Sequence, residues 1–358
     1  MHFEAIGTID TAARRKRRSN AYMENPRLPD PSLIMQLALA YRSSAALFAA
    51  AELDIFGALA GGALTSREVA DVRQCAEAPM RLLLETCAIS GLLTMRDGRY
   101  SNTPVVEAFL VPGGPAYTPN SLEYAKNLYP AWGSLTDLVR KGRPPMTAET
   151  YLGNDKAKTR AFVYAMHERA LGINSVLAHL PDLTGRRRLI DIGGGPGAYS
   201  VGLLKRTPGL MATVLDVPGV LEVTRELIDA SGFANRITLL PGDYLKTPFG
   251  SGYDAALLSG MMHRETPDAC RLLLRKTFDA LDDGGLVVVS DVFFDDDSKR
   301  TPPFAVSFAL NMMLTSDHGS AHAKTEMSAW MIESGFRDVR ATNLPAPNPH
   351  SLVVGTKR

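Results

Sequence analysis

Two groups of residues in this chain have the types and spacing to do chemistry. The first is residues 188–200, RLIDIGGGPGAYS, where a short apolar run carrying one aspartate breaks into a burst of glycines. Arg188–Ile192 has the length and branching of a buried strand, and Gly193, Gly194, Gly195 and Gly197 turn it sharply towards a helix opening near Ala198. Glycine admits positive φ and lets a ligand lie against the main chain without a Cβ in the way, so a small-molecule cofactor is expected on this turn. Gly193-x-Gly195-x-x-Ala198 fits the dinucleotide pattern GxGxxG/A, and Asp216 ends the next strand where a ribose contact is made. A lone match of this kind leaves the choice of cofactor open. The second group centres on His263, which follows the apolar run ALLSGMM and so emerges at the carboxyl edge of a sheet, where open α/β folds bind ligands. A histidine there can exchange a proton near neutral pH.

The elements that must position these residues are set in a chain of ordinary composition. Its 358 residues are 45% hydrophobic and 22% charged, enough for one large or two medium domains. A net charge of +1 gives no electrostatic reason to expect nucleic acid or an acidic partner. Cys75, Cys87 and Cys270 are odd in number and far apart, which fits neither a disulfide framework nor a metal cluster and points to reduced thiols in the cytoplasm. No apolar run is expected to reach the roughly 18 residues of a membrane span, and no signal-peptide core opens the chain. The basic block Arg14-Arg15-Lys16-Arg17-Arg18 reads as part of a solvated tail over residues 1–30.

Residues 31–110 are helix-rich. Asp30 and Pro31 read as a cap and first helical position, and Thr65-Ser66-Arg67-Glu68 as a second cap with an acidic first turn. A small hairpin around Asp97-Gly98 then completes a winged-helix outline. Winged helices often read DNA, but the segment Pro79–Gly91 offers Arg81 and a mostly apolar remainder (Met80, Leu82, Leu83, Leu84, Ile89), which suits burial against another subunit better than a groove. Residues 111–185 form a second helical stretch rich in aromatic and methionine side chains, most of them core and some suited to lining a flat apolar pocket.

From 186 to 358 strand and helix alternate, with strands at Leu189–Ile192, Ala212–Asp216, Ile237–Pro241, Ala255–Ser259 and Leu286–Ser290. This predicts an α/β fold with a parallel, Rossmann-like sheet. Val339–Leu344 and Ser351–Thr356 are joined by a loop too short for a crossover, so the last strand must be reversed. A reversed final strand is unlike a standard dinucleotide fold and argues against nicotinamide.

The set DIGGGPG, LDVPGV, GDY, LLSGMMH and LDDGGLVVVSD, in this order over nearly all of residues 31–358, resembles the S-adenosylmethionine-dependent small-molecule O-methyltransferases of the caffeate/acetylserotonin type. That resemblance implies S-adenosyl-L-methionine as cofactor and a homodimer intertwined through the helical N-terminal domain. It implies that Gly193, Gly195 and Gly197 bring the main chain close to the amino-acid tail, with Asp191 accepting a bond from it. Asp216 would take the ribose hydroxyls, Asp243 the adenine amino group, Tyr244 the ring, and Ser259 a cofactor contact usually made by lysine. Asp243 beside Gly242 also suits a plain turn. His263 falls at the family's general base, in the triplet His263-Arg264-Glu265 where His-Asp-Trp is usual, and Asp291 at its acidic partner, where glutamate is usual.

A base is useful because a phenol of pKa about 10 must lose its proton as oxygen attacks the methyl group, and an imidazole ordinarily titrates near 6.5. The family's second acid falls near Ala323 and is missing, with Glu326 expected to serve the first turn of a helix. Met166 and Met313 are candidate substrate contacts. His318 and His322 lack a third ligand for a metal site and could contact substrate instead. Asp295-Asp296-Asp297 reads as a solvated loop, and no metal is expected. Methylation of carbon or nitrogen, decarboxylation or hydroxylation on the same scaffold stays open, as does a DNA-binding regulator.

Overall fold

The computed structural model describes residues 29–145, 152–172, 180–346 and 348–358. The basic block at 14–18 lies outside them. The chain divides into two compact units at Thr103/Pro104.

The first unit contains α1 (Ser32–Leu39), α2 (Tyr41–Glu52), α3 (Ile55–Leu59), β1 (Leu64–Thr65), α4 (Ser66–Val72), α5 (Glu77–Ile89), β2 (Leu93–Arg96) and β3 (Arg99–Asn102). Local chemistry sets its boundaries. Asp30 Oδ1 accepts the Ser32 N–H at 2.9 Å, which starts α1 one residue later than the sequence suggests. Thr65 Oγ1 accepts the Glu68 N–H at 3.2 Å while Glu68 Oε2 accepts the Thr65 N–H at 2.7 Å, a complete capping box for α4. Asp97 and Gly98 have φ of 52° and 72°, the left-handed pair a two-residue hairpin between β2 and β3 requires. Ile55, Phe56, Val69, Met80, Leu84 and Cys87 form a buried core.

One expectation is corrected. Within the 21 helical residues Ser32–Glu52 an 18-residue window has a mean hydropathy of 1.4, so the stretch is long and apolar enough to reach membrane-span dimensions. Gln36, Arg42, Ser43 and Ser44 break every local run, yet the average over two near-continuous helices stays high. Leu33, Ile34, Met35 and Leu37 on α1 all stand exposed.

The second unit begins with α6 (Pro104–Phe109), α7 (Pro119–Gly133), α8 (Leu135–Lys141) and α9 (Lys156–Gly172). It continues with β4 (Arg188–Ile192), α10 (Ala198–Arg206), β5 (Met211–Asp216), α11 (Pro218–Ser231), β6 (Ile237–Pro241), β7 (Tyr253–Ser259), α12 (Pro267–Ala280) and β8 (Leu281–Asp291). The last elements are α13 (Pro303–Thr315), α14 (Lys324–Glu333), β9 (Arg337–Asn343) and β10 (Ser351–Thr356). The seven-stranded sheet has the order β6-β5-β4-β7-β8-β10-β9. Only β10 is reversed, antiparallel to both β8 and β9, as the short final loop predicts.

Both faces of this sheet are covered, so its strands read as near-continuous apolar runs. Ile190, Ile192, Leu258, Val287 and Val289 face one core with Met262, Cys270 and Trp330. Leu189, Leu257 and Val288 face the other with Leu203 and Leu204 of α10. Each such side chain contributes about 1.5–3 kcal/mol on burial. This packing fixes the carboxyl ends of β4, β5, β7 and β8, where the polar residues of interest emerge.

Candidate active site

At the end of β4 the chain reverses through Gly193, Gly195 and Gly197, with φ of 65°, 51° and 71°. Gly193 N–H donates to Leu215 O at 2.8 Å, tying the turn to the end of β5. A Cβ on Gly193 would stand 3.2 Å from Met261 Cγ, and one on Gly194 2.8 Å from Asp191 Cγ. A Cβ on Gly195 would meet nothing within 4 Å, so this residue offers an open face of main chain.

Three polar groups stand at the ends of β4, β5 and β7 beside this turn. Asp191 is buried, and its Oδ2 accepts the Ser200 hydroxyl at 2.7 Å while its Oδ1 has no hydrogen-bond partner. Burial pushes its pKa up to about 6, with Ser200 pulling it down and Asp216 adding to the rise. Ser259 Oγ, at the end of β7, is likewise buried, with no close hydrogen bond and the Tyr199 side chain as a longer-range polar neighbour. Asp216 accepts the Gly195 N–H at 2.9 Å on Oδ2 and the Val217 N–H at 2.8 Å on Oδ1, leaving a lone pair on each oxygen. Burial raises its pKa against those two N–H groups and Arg264. An orphaned carboxylate oxygen and a buried hydroxyl beside a turn with glycine at 193, 194, 195 and 197 fit the ammonium and carboxylate of an amino-acid tail, with Asp216 suited to ribose hydroxyls.

Tyr244 lies close to this turn, with its ring 3.6 Å from where a Gly193 Cβ would stand. Its hydroxyl donates to Glu265 Oε1 at 2.6 Å, and burial, then Glu265, pushes its pKa well up. Asp243 performs the plain turn role: Oδ1 accepts the Leu245 N–H at 2.9 Å and Oδ2 pairs with the exposed Lys246 at 2.9 Å.

His263 sits in a 3-10 turn, Met262–Arg264, directly beyond β7. Asp291, the last residue of β8, grips it twice. Its Oδ1 lies 2.7 Å from His263 Nδ1, and its Oδ2 accepts the His263 N–H at 3.2 Å. Burial alone would raise the Asp291 pKa, but His263, His350 and the Val292 N–H outweigh it and hold the carboxyl below its ordinary value. An ionised carboxylate can only accept, so His263 carries a proton on Nδ1 and, in its neutral form, presents Nε2 as an acceptor. The imidazole packs edge-on against Phe308 of α13 (4.9 Å between centroids), and Phe308 stacks on the half-exposed Phe304 at 6.1 Å. Trp132 Nε1 donates to Asn311 Oδ1 at 3.0 Å and ties α7 to this aromatic helix.

Other expected residues fall elsewhere. Glu326 Oε2 accepts the Ala323 N–H at 2.7 Å, a helix-start role as its position suggests. Met166 is half-buried on α9. Met313 is exposed and stands about 140° around α13 from Phe308, at about 100° per residue, so it is off the stripe that meets His263. His322 is not a surface contact: it is 6% exposed, with Nε2 3.1 Å from both Met262 O and Glu265 O. Its sequence neighbours gave no sign of burial, because 316–323 has no helical or strand period. The acidic run is spent locally, Asp295 on Lys324 and Asp296 on Ser298. Among the described residues no three His, Cys, Asp or Glu side chains group to hold a metal.

Three polar residues escape sequence reasoning, two at the site and one that supports α7. Ser200 orients Asp191. His350 Nδ1 lies 3.0 Å from Ser290 Oγ, and burial pushes its pKa down. The register of β10 holds the signal for it, since Ser351 pairs with Asp291 and places residue 350 at the same sheet end. Glu168, buried on α9, accepts the Asn120 and Ser121 N–H groups at 3.2 and 2.7 Å and caps α7.

The fold and site define a protein that binds a nucleoside-linked amino acid on a Rossmann-like sheet and sets a histidine–aspartate pair beside it. Residues 132–337 match the O-methyltransferase domain family, and residues 35–112 match the O-methyltransferase dimerisation domain. The chain is 33% identical over 336 residues to a 3-hydroxy-5-methyl-1-naphthoate 3-O-methyltransferase of Streptomyces sahachiroi, covering 93% of this chain and 97% of that protein. It is 30% identical over 333 residues to the tetracenomycin polyketide synthesis 8-O-methyl transferase TcmO of Streptomyces glaucescens, covering 91% and 97%. The structure of human N-acetylserotonin methyltransferase in complex with SAM superposes with a TM-score of 0.82 at 27% identity, covering 93% of this chain and 99% of that one. The chain belongs to the S-adenosyl-L-methionine-dependent O-methyltransferase family and carries that family's dimerisation domain. The 21-residue apolar stretch therefore lies largely within the dimerisation domain.

Proposed function

We propose that this O-methyltransferase acts on a phenolic hydroxyl of a fused-ring aromatic compound, with His263 as general base and Asp291 as its orienting partner. The observation that carries the reading is the 2.7 Å contact between His263 Nδ1 and Asp291 Oδ1, which commits one ring nitrogen and leaves Nε2 to take a proton. S-adenosyl-L-methionine, when bound, supplies an electrophilic methyl group on a positively charged sulfur. His263 Nε2 removes the hydroxyl proton as the oxygen attacks, and the positive charge formed on the ring is balanced by Asp291, which stays ionised. Such a base contributes about 10²–10⁴-fold to the rate, and in-line alignment supplies much of the rest.

Phe308 and Phe304 support a flat acceptor, since stacked and edge-on aromatic contacts each add about 0.5–1.5 kcal/mol beyond area burial. The similar Streptomyces enzymes are named for a hydroxynaphthoate and for tetracenomycin polyketide synthesis. Asp191, Gly193, Gly195, Gly197, Asp216 and Ser259 hold the cofactor in this reading, with Asp243 and Tyr244 at its adenine end. Met166 lines the substrate side in this reading, whereas Met313 stands off the stripe that meets His263.

The same reading makes the protein a cytoplasmic homodimer through the first unit. Ile89 is 87% and Leu82 57% exposed on α5, side chains that suit a second subunit rather than a DNA groove or a membrane. Three free cysteines agree with a reducing compartment. The test is incubation of the full chain with methyl-labelled cofactor and a panel of hydroxynaphthoates and polycyclic phenols. An O-methyl ether is the expected product; label on ring carbon or nitrogen, or no transfer across the panel, contradicts the reading.

A further inference from the structure

The turn that carries His263 has no sheet hydrogen bonds of its own, so something else must set its pitch. Residues 316–323, which join α13 to α14, hold it from one side. Ser320 N–H donates to His263 O at 2.8 Å, and the Phe294 N–H donates to His322 O at 2.9 Å, anchoring the segment to the chain beyond β8. Between them the His322 ring enters the protein interior. Its Nε2 lies 3.1 Å from Met262 O and 3.1 Å from Glu265 O, the carbonyls that bracket His263 and Arg264. Carbonyl oxygens only accept, so Nε2 must carry the proton and share it between them.

The surroundings keep the ring in that state. Trp330 packs edge-on against it at 5.0 Å, and Cys270 Sγ lies 3.5 Å from the same nitrogen. Burial lowers the pKa of His322, against Asp291, Glu326 and the two carbonyls, so the ring is neutral with its single proton on Nε2. Burial pushes the Cys270 thiol far up, so it adds no charge.

We propose that His322 is a positioning residue for methyl transfer: its Nε2–H clamps the Met262 and Glu265 carbonyls and thereby fixes the turn that presents His263. This rests on the reading of His263 as the base. Asp291 meets His263 at both a side-chain and a main-chain nitrogen, so a small rotation of the turn breaks the alignment at both points. Misplacement of a reacting group by about 1 Å can cost about 10²-fold in rate.

The test is a cycle of His322→Phe, His263→Ala and the double variant, with His322→Gln as rescue. His322→Phe keeps a ring against Trp330 and deletes the donor. His322→Gln restores an N–H at similar reach. For each, kcat, KM for a phenolic acceptor and the cofactor dissociation constant are measured on the full chain. His322→Phe is expected to lower kcat about 10–100-fold with cofactor affinity within twofold, and His322→Gln to recover most of the loss. In the His263→Ala background the same change is expected to cost less than threefold.

An undiminished loss in that background overturns the proposal and leaves His263 as base. So does a kcat within twofold of wild type for His322→Phe, or a Gln variant as poor as the Phe variant. If His263→Ala itself turns over normally, the base reading falls and the clamp has no reaction to serve. Should His322→Phe fail to fold, His322→Asn, whose amide stops short of both carbonyls, carries the same measurement.

Discussion

The cofactor cradle and the His263 corner lie on the same sheet edge but are built in opposite ways. The cradle is local. Asp191, the glycine turn and Ser200 span ten consecutive residues, and Asp216 ends the adjacent parallel strand. Its contacts are mostly main chain, fixed by two strands whose register leaves little freedom. The corner is assembled from afar: residues 263, 291, 308, 322 and 350 come from a 3-10 turn, a strand end, a helix and two loops. A site made of contiguous main chain tolerates change around it, whereas a site made of side chains from five segments depends on each support.

The largest effect that separates the two is removal of the proposed base. His263→Ala should lower kcat about 10²–10⁴-fold while the cofactor dissociation constant, read by calorimetry, stays within twofold. Asp191→Ala should do the reverse. Loss of a charged partner to the cofactor's ammonium weakens binding by about 1.5–3 kcal/mol, or roughly 10–150-fold, with kcat at saturating cofactor little changed.

The pH dependence sharpens this contrast. The Asp191 pKa, about 6 in the folded chain against an ordinary 3.8, means that the folded protein holds this proton more tightly than the unfolded one. The stability from that proton is present below about 3.8 and is lost as pH rises through 6. A cofactor ammonium binds the ionised form, so its affinity should rise about tenfold between pH 5 and pH 7, and the Asp191→Asn variant should show a flat profile. The smallest expected effect is on the acceptor side. Phe308→Ala removes the edge-on partner of His263 and should raise KM for an aromatic acceptor about 2–12-fold, with cofactor affinity unmoved.

The same local-versus-distant distinction explains what the sequence makes legible. The glycine turn, Asp216, the capping box at Thr65 and the hairpin at Asp97-Gly98 each declare themselves within a few residues, because the backbone geometry they require is specific to those residue types. His263 is legible from the end of its strand, and Asp291 only through the family resemblance that pairs it with the histidine. His322 and His350 were not legible as site residues, since their loops have no period and only the completed sheet brings them to the edge. Asp243 shows the limit of a motif: an aspartate beside a glycine suits both a ligand and a turn, and its contacts to Leu245 and Lys246 agree with either. The run Ser32–Glu52 has no unbroken apolar string of membrane length, yet an 18-residue window across its two helices averages 1.4.

One paired measurement tests the separation of cradle and corner most directly. Cofactor dissociation constants and single-turnover methyl-transfer rates at saturating cofactor are determined for His263→Ala and Asp191→Ala alongside the wild type. The predicted result is a crossed pattern, with His263→Ala slow but tight and Asp191→Ala weak but fast. A His263→Ala variant that transfers methyl at the wild-type rate, or that loses the cofactor as completely as Asp191→Ala, would contradict it.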